Sequence, residues 1–338
     1  MFESAALNLS SAALAAFAAS FVLTGCTTWY ARRRGLLDHP GERHSHAEAT
    51  PRGGGAGLLS AFLLTALWLT AGADSSDWLI GVMPGVIVIA IVGAWDDHSS
   101  LSVRLRFFIQ LAVSFYLLGY AANAEWVHGA LEMIVCCLFL VWMTNLYNFM
   151  DGSNGMAGLQ GVFGGALLGW LFYQAGDAPF SAISILLAAS CAGFLPWNLG
   201  RARVFMGDVG SLALGFLFGS LLIYGVGTGA FTIPVALMIM LLFLTDSTLT
   251  LLGRVLKGER WYTAHRQHLY QRMIANGWTH GSVATFYQAV NLALVVPGIV
   301  VAVHFPALAW VAALALTLIF VLGWYLLVRR FGVPAQAG

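Results

Sequence analysis

The sequence predicts an all-α protein that crosses a membrane many times. Hydrophobic residues make up 59% of the 338-residue chain and charged residues only 9%, and the mean hydropathy is +0.80. Spanning the hydrocarbon layer of a bilayer takes roughly 20 apolar residues, and runs of about that length recur along the chain. Because water-soluble domains carry about a quarter charged residues, the composition excludes that class.

Eleven apolar runs account for most of the chain. We place the predicted spans near residues 8–30, 55–73, 78–95, 107–122, 127–146, 155–175, 179–197, 210–228, 231–252, 283–303 and 306–328. The run at 107–122 is the shortest of them. The four cysteines fall within these runs and show neither disulfide nor metal-type spacing. We therefore interpret residues 1–338 as one integral membrane domain.

The basic residues predict how the chain is oriented. All 16 Lys and Arg lie in alternate connections, namely 32–52, 104–106, 201–203, 254–272 and the tail at Arg329 and Arg330. An excess of Lys and Arg marks the cytoplasmic loops of membrane proteins. With eleven spans, this pattern predicts a periplasmic N-terminus and a cytoplasmic C-terminus. The predicted cytoplasmic loops lie near 31–53, 96–106, 147–154, 198–209 and 253–281.

Three of these loops each bring at least one carboxylate to the same membrane face. Asp96 and Asp97 follow the third run, and the segments 144–158 and 196–215 combine acids and amides with glycine-rich turns. A charged side chain inside the bilayer costs about 2.5–3.5 kcal/mol, so such residues are retained mostly for function or pairing. Successive residues of a helix point about 100° apart, which predicts separate tasks for Asp96 and Asp97.

The spacing of the polar residues favours a site for phosphate and a hard cation. Asn145, Asn148 and Asp151 are spaced by three, which aligns them along one helical face. Asp208 lies between two glycines, and Ser211 stands where a new helix begins; free N–H groups at a helix start suit phosphate oxygens. Mg²⁺ prefers oxygen ligands and typically takes one or two carboxylates. The few histidines lack zinc-type spacing.

Two basic segments complete the predicted site. The loop 253–281 holds five of the 16 basic residues, including Arg266 between His265 and His268. One interpretation is that this loop lies on anionic lipid headgroups, and the other is that it closes over an anionic nucleotide-like substrate. Arg52 stands beside three consecutive glycines, which are more than an ordinary turn needs.

Five segments of the sequence resemble the motifs of a known protein family. They are HAEATPRGGGAG, WDDHSSLSVRLR, NLYNFMDGSNGMAG, PWNLGRARVFMGDVGSLALG and AHRQHLYQRM, in this order. The chain resembles the polyprenyl-phosphate N-acetylhexosamine-1-phosphate transferases, above all the branch that initiates O-antigen. The resemblance implies transfer of a sugar 1-phosphate from a UDP-N-acetylhexosamine to undecaprenyl phosphate, with release of UMP. It implies a multi-pass enzyme of the bacterial inner membrane, with its active site on the cytoplasmic face.

The resemblance also assigns cofactors and site residues. It implies Mg²⁺ as the cofactor, with Mn²⁺ as a substitute, and no nucleic-acid partner; a homodimer stays open. The catalytic residues it implies are Asp96, Asp97, Asp151 and Asp208, and the implied metal ligands are Asp208, Asp97 and Asn148. The implied substrate-binding residues are Arg52, Arg104, Asn145, Asn148, Asn154, Asn198, Phe205, Ser211, His265, Arg266 and His268. Phe205 would stack on uracil, with packing against lipid as the alternative.

The sequence departs from the family pattern at three positions. Ser100 stands at the lysine of the peptidoglycan branch, and Arg104 or Arg106 would supply the missing charge. Asn154 replaces an aspartate of that branch. Gln267 replaces the middle histidine of the HxHH element, which leaves the identity of the donor sugar open.

Two other classes of protein share some of these features. A transporter buries polar residues at mid-membrane, and only Asp246, which would pair with Thr248 or Arg254, lies within a run. An intramembrane prenyltransferase also uses aspartates and Mg²⁺, but generally in a DxxxD element, and serines stand at 99 and 100 here. Release of pyrophosphate rather than UMP would identify that class.

Overall fold

The computed structural model describes residues 2–38, 49–70, 77–260 and 265–332, and side chains from residue 9 onward. The helices are α1 (Phe2–Arg34), α2 (Gly55–Thr70), α3 (Met83–His98), α4 (Val103–Asn123), α5 (Ala130–Met150), α6 (Met156–Gln174), α7 (Ala178–Asn198), α8 (Asp208–Gly227), α9 (Ile233–Ile239), α10 (Leu241–Leu256), α11 (Leu269–Ala275), α12 (His280–Val290), α13 (Val296–His304) and α14 (Ala309–Phe331). Two short strands, β1 (Leu37–Asp38) and β2 (Thr50–Pro51), pair antiparallel. A π-helical turn (Asp77–Val82) leads into α3, and another (Asn291–Val295) joins α12 to α13.

The predicted class of polytopic helical membrane protein is confirmed. In the described ranges nine helical segments are long and apolar enough to cross a membrane, and up to ten if α9 and α10 form one span bent by 77°. The sequence predicted eleven. The difference is α2, an apolar helix of 16 residues that stops just before residues 71–76, which lie outside the described part. The orientation of the two termini stays a prediction.

Helix α8 lies at the centre of the bundle and is almost fully buried. It packs against α3 and α5 over most of its length. A Cβ atom on Gly93 of α3 would lie 2.3 Å from the Asp208 carbonyl oxygen, and one on Gly55 of α2 would lie 2.4 Å from the Gly210 Cα atom. Small residues allow membrane helices to approach this closely. The start of α8 is therefore enclosed by α2 and α3.

The break between α9 and α10 is stabilised by a buried amide. Gln160 of α6 donates a hydrogen bond to the Ile239 carbonyl oxygen (3.2 Å), and the Asn291 amide donates to Gln160 Oε1 (2.9 Å). A carbonyl freed by a bend inside the bilayer must find a donor within the protein. The polar pair supplies that donor and connects three helices at the bend.

The connections that carry basic residues lie at one end of the bundle. The connections that carry acidic residues but no Lys or Arg lie at the other end. At the start of α8, the connections that follow α1, α3, α5 and α7 converge, as the next subsection describes. At its far end, the Tyr224 hydroxyl donates to Asp177 (2.7 Å), and the nearby Tyr120 donates to Asp77 (2.9 Å). This arrangement agrees with the alternation of basic and acidic loops in the sequence.

Candidate active site

A cavity of about 430 Å³ opens at the end of the bundle where α8 begins. Four connections and α11 form its wall. Its lining residues are Asp38, Arg52, Asn148, Phe149, Asp151, Gly152, Ser153, Asn154, Asn198, Phe205, Met206, Gly207, Asp208, Arg266, Gln271, Ile274 and Ala275. This volume lies in the usual range of small-molecule sites. Eight of the residues proposed from the sequence are among them.

Asp208 is the first residue of α8, and a different helix holds each of its carboxylate oxygens. Asn148 of α5 donates to Oδ1 (2.8 Å), and Arg106 of α4 donates to Oδ2 (3.1 Å). The same Asn148 amide donates to Ser211 Oγ (2.9 Å). Asp208 is therefore oriented by α4 and α5, and its side chain remains partly exposed to the cavity.

Asp97 caps the start of α8. Its two oxygens accept hydrogen bonds from the backbone N–H groups of Asp208 (3.0 Å) and Val209 (3.1 Å), and its side chain is only 5% exposed. A carboxylate at this position satisfies donors that have no partner within the helix. Gly207 has φ +75°, and a Cβ there would lie 2.5 Å from Asp97 Oδ2. Asp97 thus fixes the backbone that carries Asp208.

Asp96 points to different partners. It accepts from the Leu101 N–H and from Arg106, so Arg106 bridges Asp96 and Asp208. The neighbouring aspartates therefore have separate contacts, as the helical geometry predicted. Arg104, by contrast, is exposed and lies outside the cavity lining. Of the two arginines left open by the sequence, the structure brings Arg106 to the carboxylates.

Asp151 follows the last residue of α5 and faces the cavity. Burial raises the pKa of this carboxyl well above its usual value, and the nearby negative charges of Asp208 and Asp97 raise it further, while Arg52 lowers it. Like-charged groups gathered in a poorly solvated place resist ionisation. A cation bound among these carboxyl groups would favour their ionised form.

Arg52 follows strand β2 and contacts two acids. It donates to Asp38 (3.1 Å) and lies 4.0 Å from Asp97. Burial opposes its positive charge, but the neighbouring carboxylates hold the pKa of Arg52 above its usual value. The glycines that follow allow close packing: Gly54 N–H donates to the Phe205 carbonyl (2.9 Å), and Phe205 N–H donates to the Pro51 carbonyl (2.8 Å). Arg52 therefore stays charged beside Phe205.

Asn198 and Asn154 join two of the loops. Asn198 accepts from the Gly155 N–H (2.7 Å) and donates to the Val204 carbonyl (3.0 Å). Asn154 donates to the Gly200 carbonyl (2.7 Å). These bonds hold the loop after α7 against the loop after α5. As a consequence, Phe205 lies in the cavity wall.

The last loop contributes Arg266 but not its neighbouring histidines. Arg266 lines the cavity, and its Nη2 atom is buried without a hydrogen-bond partner within the described ranges. Burial lowers the pKa of His265 to about 3, with His268 and Arg254 adding to the effect, and burial also lowers the pKa of His268. The His268 ring packs against Phe149. Both histidines are therefore neutral near pH 7.

Some features of the site differ from those proposed from sequence. Asn145 donates to Gln110 (2.7 Å) one helical turn from Asn148, outside the cavity lining. The cavity also has lining residues outside the five quoted segments, namely Asp38, Ile274 and Ala275, and Gln271, which lies within the last segment but was not proposed as a site residue. Gln271 follows His268 by three, the spacing of a helix-capping pair, and its Oε1 accepts the His268 N–H (3.2 Å). That spacing was the available sequence signal for α11.

The fold and the cavity define a polytopic membrane protein with an acidic, arginine-flanked site at one end of its helix bundle. The sequence profile described as glycosyl transferase family 4 matches residues 79–226. An undecaprenyl-phosphate alpha-N-acetylglucosaminyl 1-phosphate transferase of Yersinia pestis is 30% identical over 72% of this chain and 71% of its own length. The chain belongs to this family.

Relatives of slightly lower identity extend the similarity over more of the chain. An undecaprenyl-phosphate alpha-N-acetylglucosaminyl 1-phosphate transferase of Escherichia coli O157:H7 is 27% identical over 90% of this chain and 86% of its own. A decaprenyl-phosphate N-acetylglucosaminephosphotransferase of Mycobacterium tuberculosis is 28% identical over 83% of this chain and 78% of its own. The similarity therefore extends well beyond the profile match.

Proposed function

We propose that this protein transfers an N-acetylhexosamine 1-phosphate from a UDP-sugar to undecaprenyl phosphate. The product would be a polyprenyl-diphosphate-linked sugar, and UMP would leave. The names of the relatives support the lipid acceptor, the phosphotransfer and N-acetylglucosamine as the first donor sugar to test. We place the enzyme in the bacterial inner membrane, with the cavity on the cytoplasmic side.

The cavity is the single observation that carries this proposal. It brings Asp151 and Asp208 within reach of one ligand, and Arg52 and Arg266 lie in the same wall. Phosphoryl transfer asks mainly for positioning and charge neutralisation. Two arginines and a ring of amides suit a diphosphate and a nucleoside, and Phe205 offers an aromatic face for uracil.

The reaction we propose is an in-line displacement at the β-phosphorus of the donor. An oxygen of the lipid phosphate forms the new bond to this phosphorus, and the bond from the β-phosphorus to the bridging oxygen breaks, so that UMP keeps that oxygen. The lipid phosphate is already anionic near pH 7, so little proton removal is needed. We therefore assign Asp96 and Asp97 to orientation: Asp97 through the α8 backbone and Asp96 through Arg106.

The acidic groups suit Mg²⁺, for which Mn²⁺ would substitute. Within the described ranges no group of three or more His, Cys, Asp or Glu side chains is arranged to hold a metal alone, and Mg²⁺ commonly takes one or two carboxylates plus substrate phosphates. The ion would be held by Asp208, Asp151 and the side-chain carbonyl oxygen of Asn148. When bound, it would neutralise the charge on the diphosphate oxygens. Both oxygens of Asp97 already accept backbone N–H groups, so we assign Asp97 to positioning.

A finer proposal concerns the donor sugar and the polymer that the product initiates. We propose that the product initiates O-antigen or another cell-envelope polysaccharide. Gln267, which replaces a family histidine, donates to Glu259 (3.0 Å) and lies outside the cavity lining. We therefore expect donor choice to depend on Gln271, Ile274 and Ala275 of α11, which do line the cavity.

The test is a reconstitution. Purified protein in nanodiscs is incubated with undecaprenyl phosphate, Mg²⁺ and a panel of radiolabelled UDP-sugars, and the lipid product and UMP are measured. We expect transfer from at least one UDP-N-acetylhexosamine. Asp208→Asn should lower turnover by about 10²–10³-fold, the usual loss for a key electrostatic group, and leave the protein folded. Near-normal turnover of this variant would contradict the role of Asp208, and release of pyrophosphate would contradict the reaction.

A further inference from the structure

A second buried carboxylate, outside the cavity, connects four helices. Asp246 of α10 is 1% exposed. Its oxygens accept hydrogen bonds from the Leu269 N–H (2.8 Å), the Tyr270 N–H (3.5 Å), the Tyr287 hydroxyl (2.9 Å), the Trp324 indole N–H (3.1 Å) and the Thr250 hydroxyl (3.3 Å). Its partners thus differ from Thr248 and Arg254, the pair expected from the sequence. A carboxylate buried this deeply requires such partners, and these come from α10, α11, α12 and α14.

The contact with α11 matters for the cavity. Leu269 and Tyr270 open α11, so Asp246 holds the first turn of that helix. The same short helix presents Gln271 and Ile274 to the cavity, and Arg266 lies just before it. The position of this wall therefore depends on a side chain that does not touch the cavity itself.

Tyr270 carries the connection across to the acidic side. Its hydroxyl donates to the Phe149 carbonyl oxygen (2.9 Å), two residues before Asp151. Gly152 makes room for it, because a Cβ there would lie 2.1 Å from the Tyr270 hydroxyl oxygen. Asp246, α11 and Tyr270 thus form a continuous path to the turn that presents Asp151.

We propose that Asp246 is a positioning residue of the transferase. It sets the α11 wall with Arg266 and, through Tyr270, the turn that carries Asp151. The proposal rests on the proposed function only for its kinetic consequence. A carboxylate offers acceptors alone, whereas an asparagine would turn an N–H₂ group toward at least one of the donors that surround it. Asp246→Asn should therefore loosen α11 while changing no atom of the cavity wall.

The experiment compares three variants of the full chain in nanodiscs: Asp246→Asn, Tyr270→Phe and the control Asp177→Asn. Asp177 is a matched control because it caps α7 through the Phe180 N–H (3.0 Å) and accepts a tyrosine hydroxyl, at the far end of α8. Amide hydrogen exchange is measured over residues 149–155 and 266–275. The KM for the UDP-sugar, the KM for undecaprenyl phosphate and kcat are measured well below the melting temperature of each variant.

We expect Asp246→Asn to speed exchange at 266–275 and to raise the donor KM about tenfold, since hydrogen bonds to a charged group are stronger than those between neutral groups. The acceptor KM should change less than about twofold. Tyr270→Phe should speed exchange at 149–155 only. Asp177→Asn should lower the melting temperature and leave the donor KM unchanged.

Two results would overturn the proposal. One is unchanged exchange at 266–275 in Asp246→Asn, and the other is a donor KM no higher than that of Asp177→Asn. Failure of the proposed function would look different, because the wild-type protein would then transfer from no UDP-sugar. The exchange data would still decide in that case whether Asp246 orders the α11 wall.

Discussion

At the scale of single residues, Arg106 shows how the site balances its charges. Its guanidinium lies between Asp96 and Asp208 and is the cation that contacts both acids within the described part of the chain. Residues i and i+2 of a helix point about 200° apart, so Arg104 and Arg106 of α4 face opposite ways. Arg106 turns inward, and Arg104 is exposed. Orientation, more than charge, therefore separates the two.

The two arginines form a matched pair for mutagenesis. Arg106→Ala removes the donor to Asp208 Oδ2 and leaves Asp96 without its cationic partner, so we expect kcat to fall by about 10–100-fold, in line with the loss of one charged hydrogen bond. Arg104→Ala removes the same charge from an exposed position and should retain most of the activity. Initial rates at saturating substrates measure both, and equal losses in the two variants would contradict the structural assignment.

The histidines next to Arg266 predict a pH dependence of stability. The pKa of His265 is lowered from 6.5 to about 3, chiefly by burial. Between these two pH values the unfolded chain binds more protons at this residue than the folded chain does, so the residue lowers stability progressively as the pH falls through this range. We expect His265→Gln to show a shallower fall of melting temperature between about pH 7 and pH 4.5 than the wild-type protein. Parallel curves would refute a buried, neutral His265.

Residue types predicted much of the site, but the partners of each residue could only come from the structure. Asp151 and Asp208 were predicted because carboxylates beside amides and glycine turns are typical of sites for phosphate and a hard cation. The contacts of Asp97 could not be predicted in this way, because its partners are backbone N–H groups 111 and 112 positions away, and every residue except proline has such a group. The α11 wall was not predicted either, because the side chains of its cavity-lining residues are not of the types that usually take part in catalysis.

At the scale of the elements, the enclosed start of α8 is the feature on which the site depends. Gly93 lets α3 approach so closely that Asp97 reaches the first turn of α8. The hydrophobic runs predicted the ends of most helices to within a few residues. A helix satisfies all of its backbone hydrogen bonds within the segment, and a single apolar segment of this length in a bilayer has few other ways to do so. The 77° break at Met240 was not predicted from the run at 231–252. The donor that satisfies it, Gln160, lies far away in sequence.

The close contact of α3 and α8 gives a prediction. Gly93→Ala would place a Cβ within 2.3 Å of the Asp208 carbonyl oxygen, a backbone atom that has little room to move. We expect a lower melting temperature and at least a tenfold loss of kcat, since overpacking typically costs about 1–3 kcal/mol and here displaces Asp208, which we propose to be catalytic. Gly119→Ala of α4 is the control, because a Cβ there meets nothing within 4 Å. If Gly93→Ala behaved like Gly119→Ala, the packing argument would fail.

At the scale of the whole molecule, the cavity exists only because separate connections meet at one end of the bundle. Asp151, Phe205 and Arg266 come from three different connections, and they share one wall. The alternation of basic and acidic loops predicted this convergence, because loops on the same side of a membrane have the chance to meet. The alternation also predicts which side faces the cytoplasm, and the two ends of α4 offer a direct measurement.

Helix α4 has 21 residues and, at 1.5 Å per residue, is about 31 Å long. It corresponds to the shortest predicted span. Arg104 near its start and Asn123 at its end are both exposed. The measurement uses a background in which the four cysteines are replaced, because Cys26 is exposed. We expect a membrane-impermeant maleimide to label Asn123→Cys in intact bacterial cells, and Arg104→Cys only after permeabilisation. Labelling of both sites on one side would mean that α4 does not cross the membrane, and the reversed pattern would place the cavity outside the cell, away from any cytoplasmic UDP-sugar.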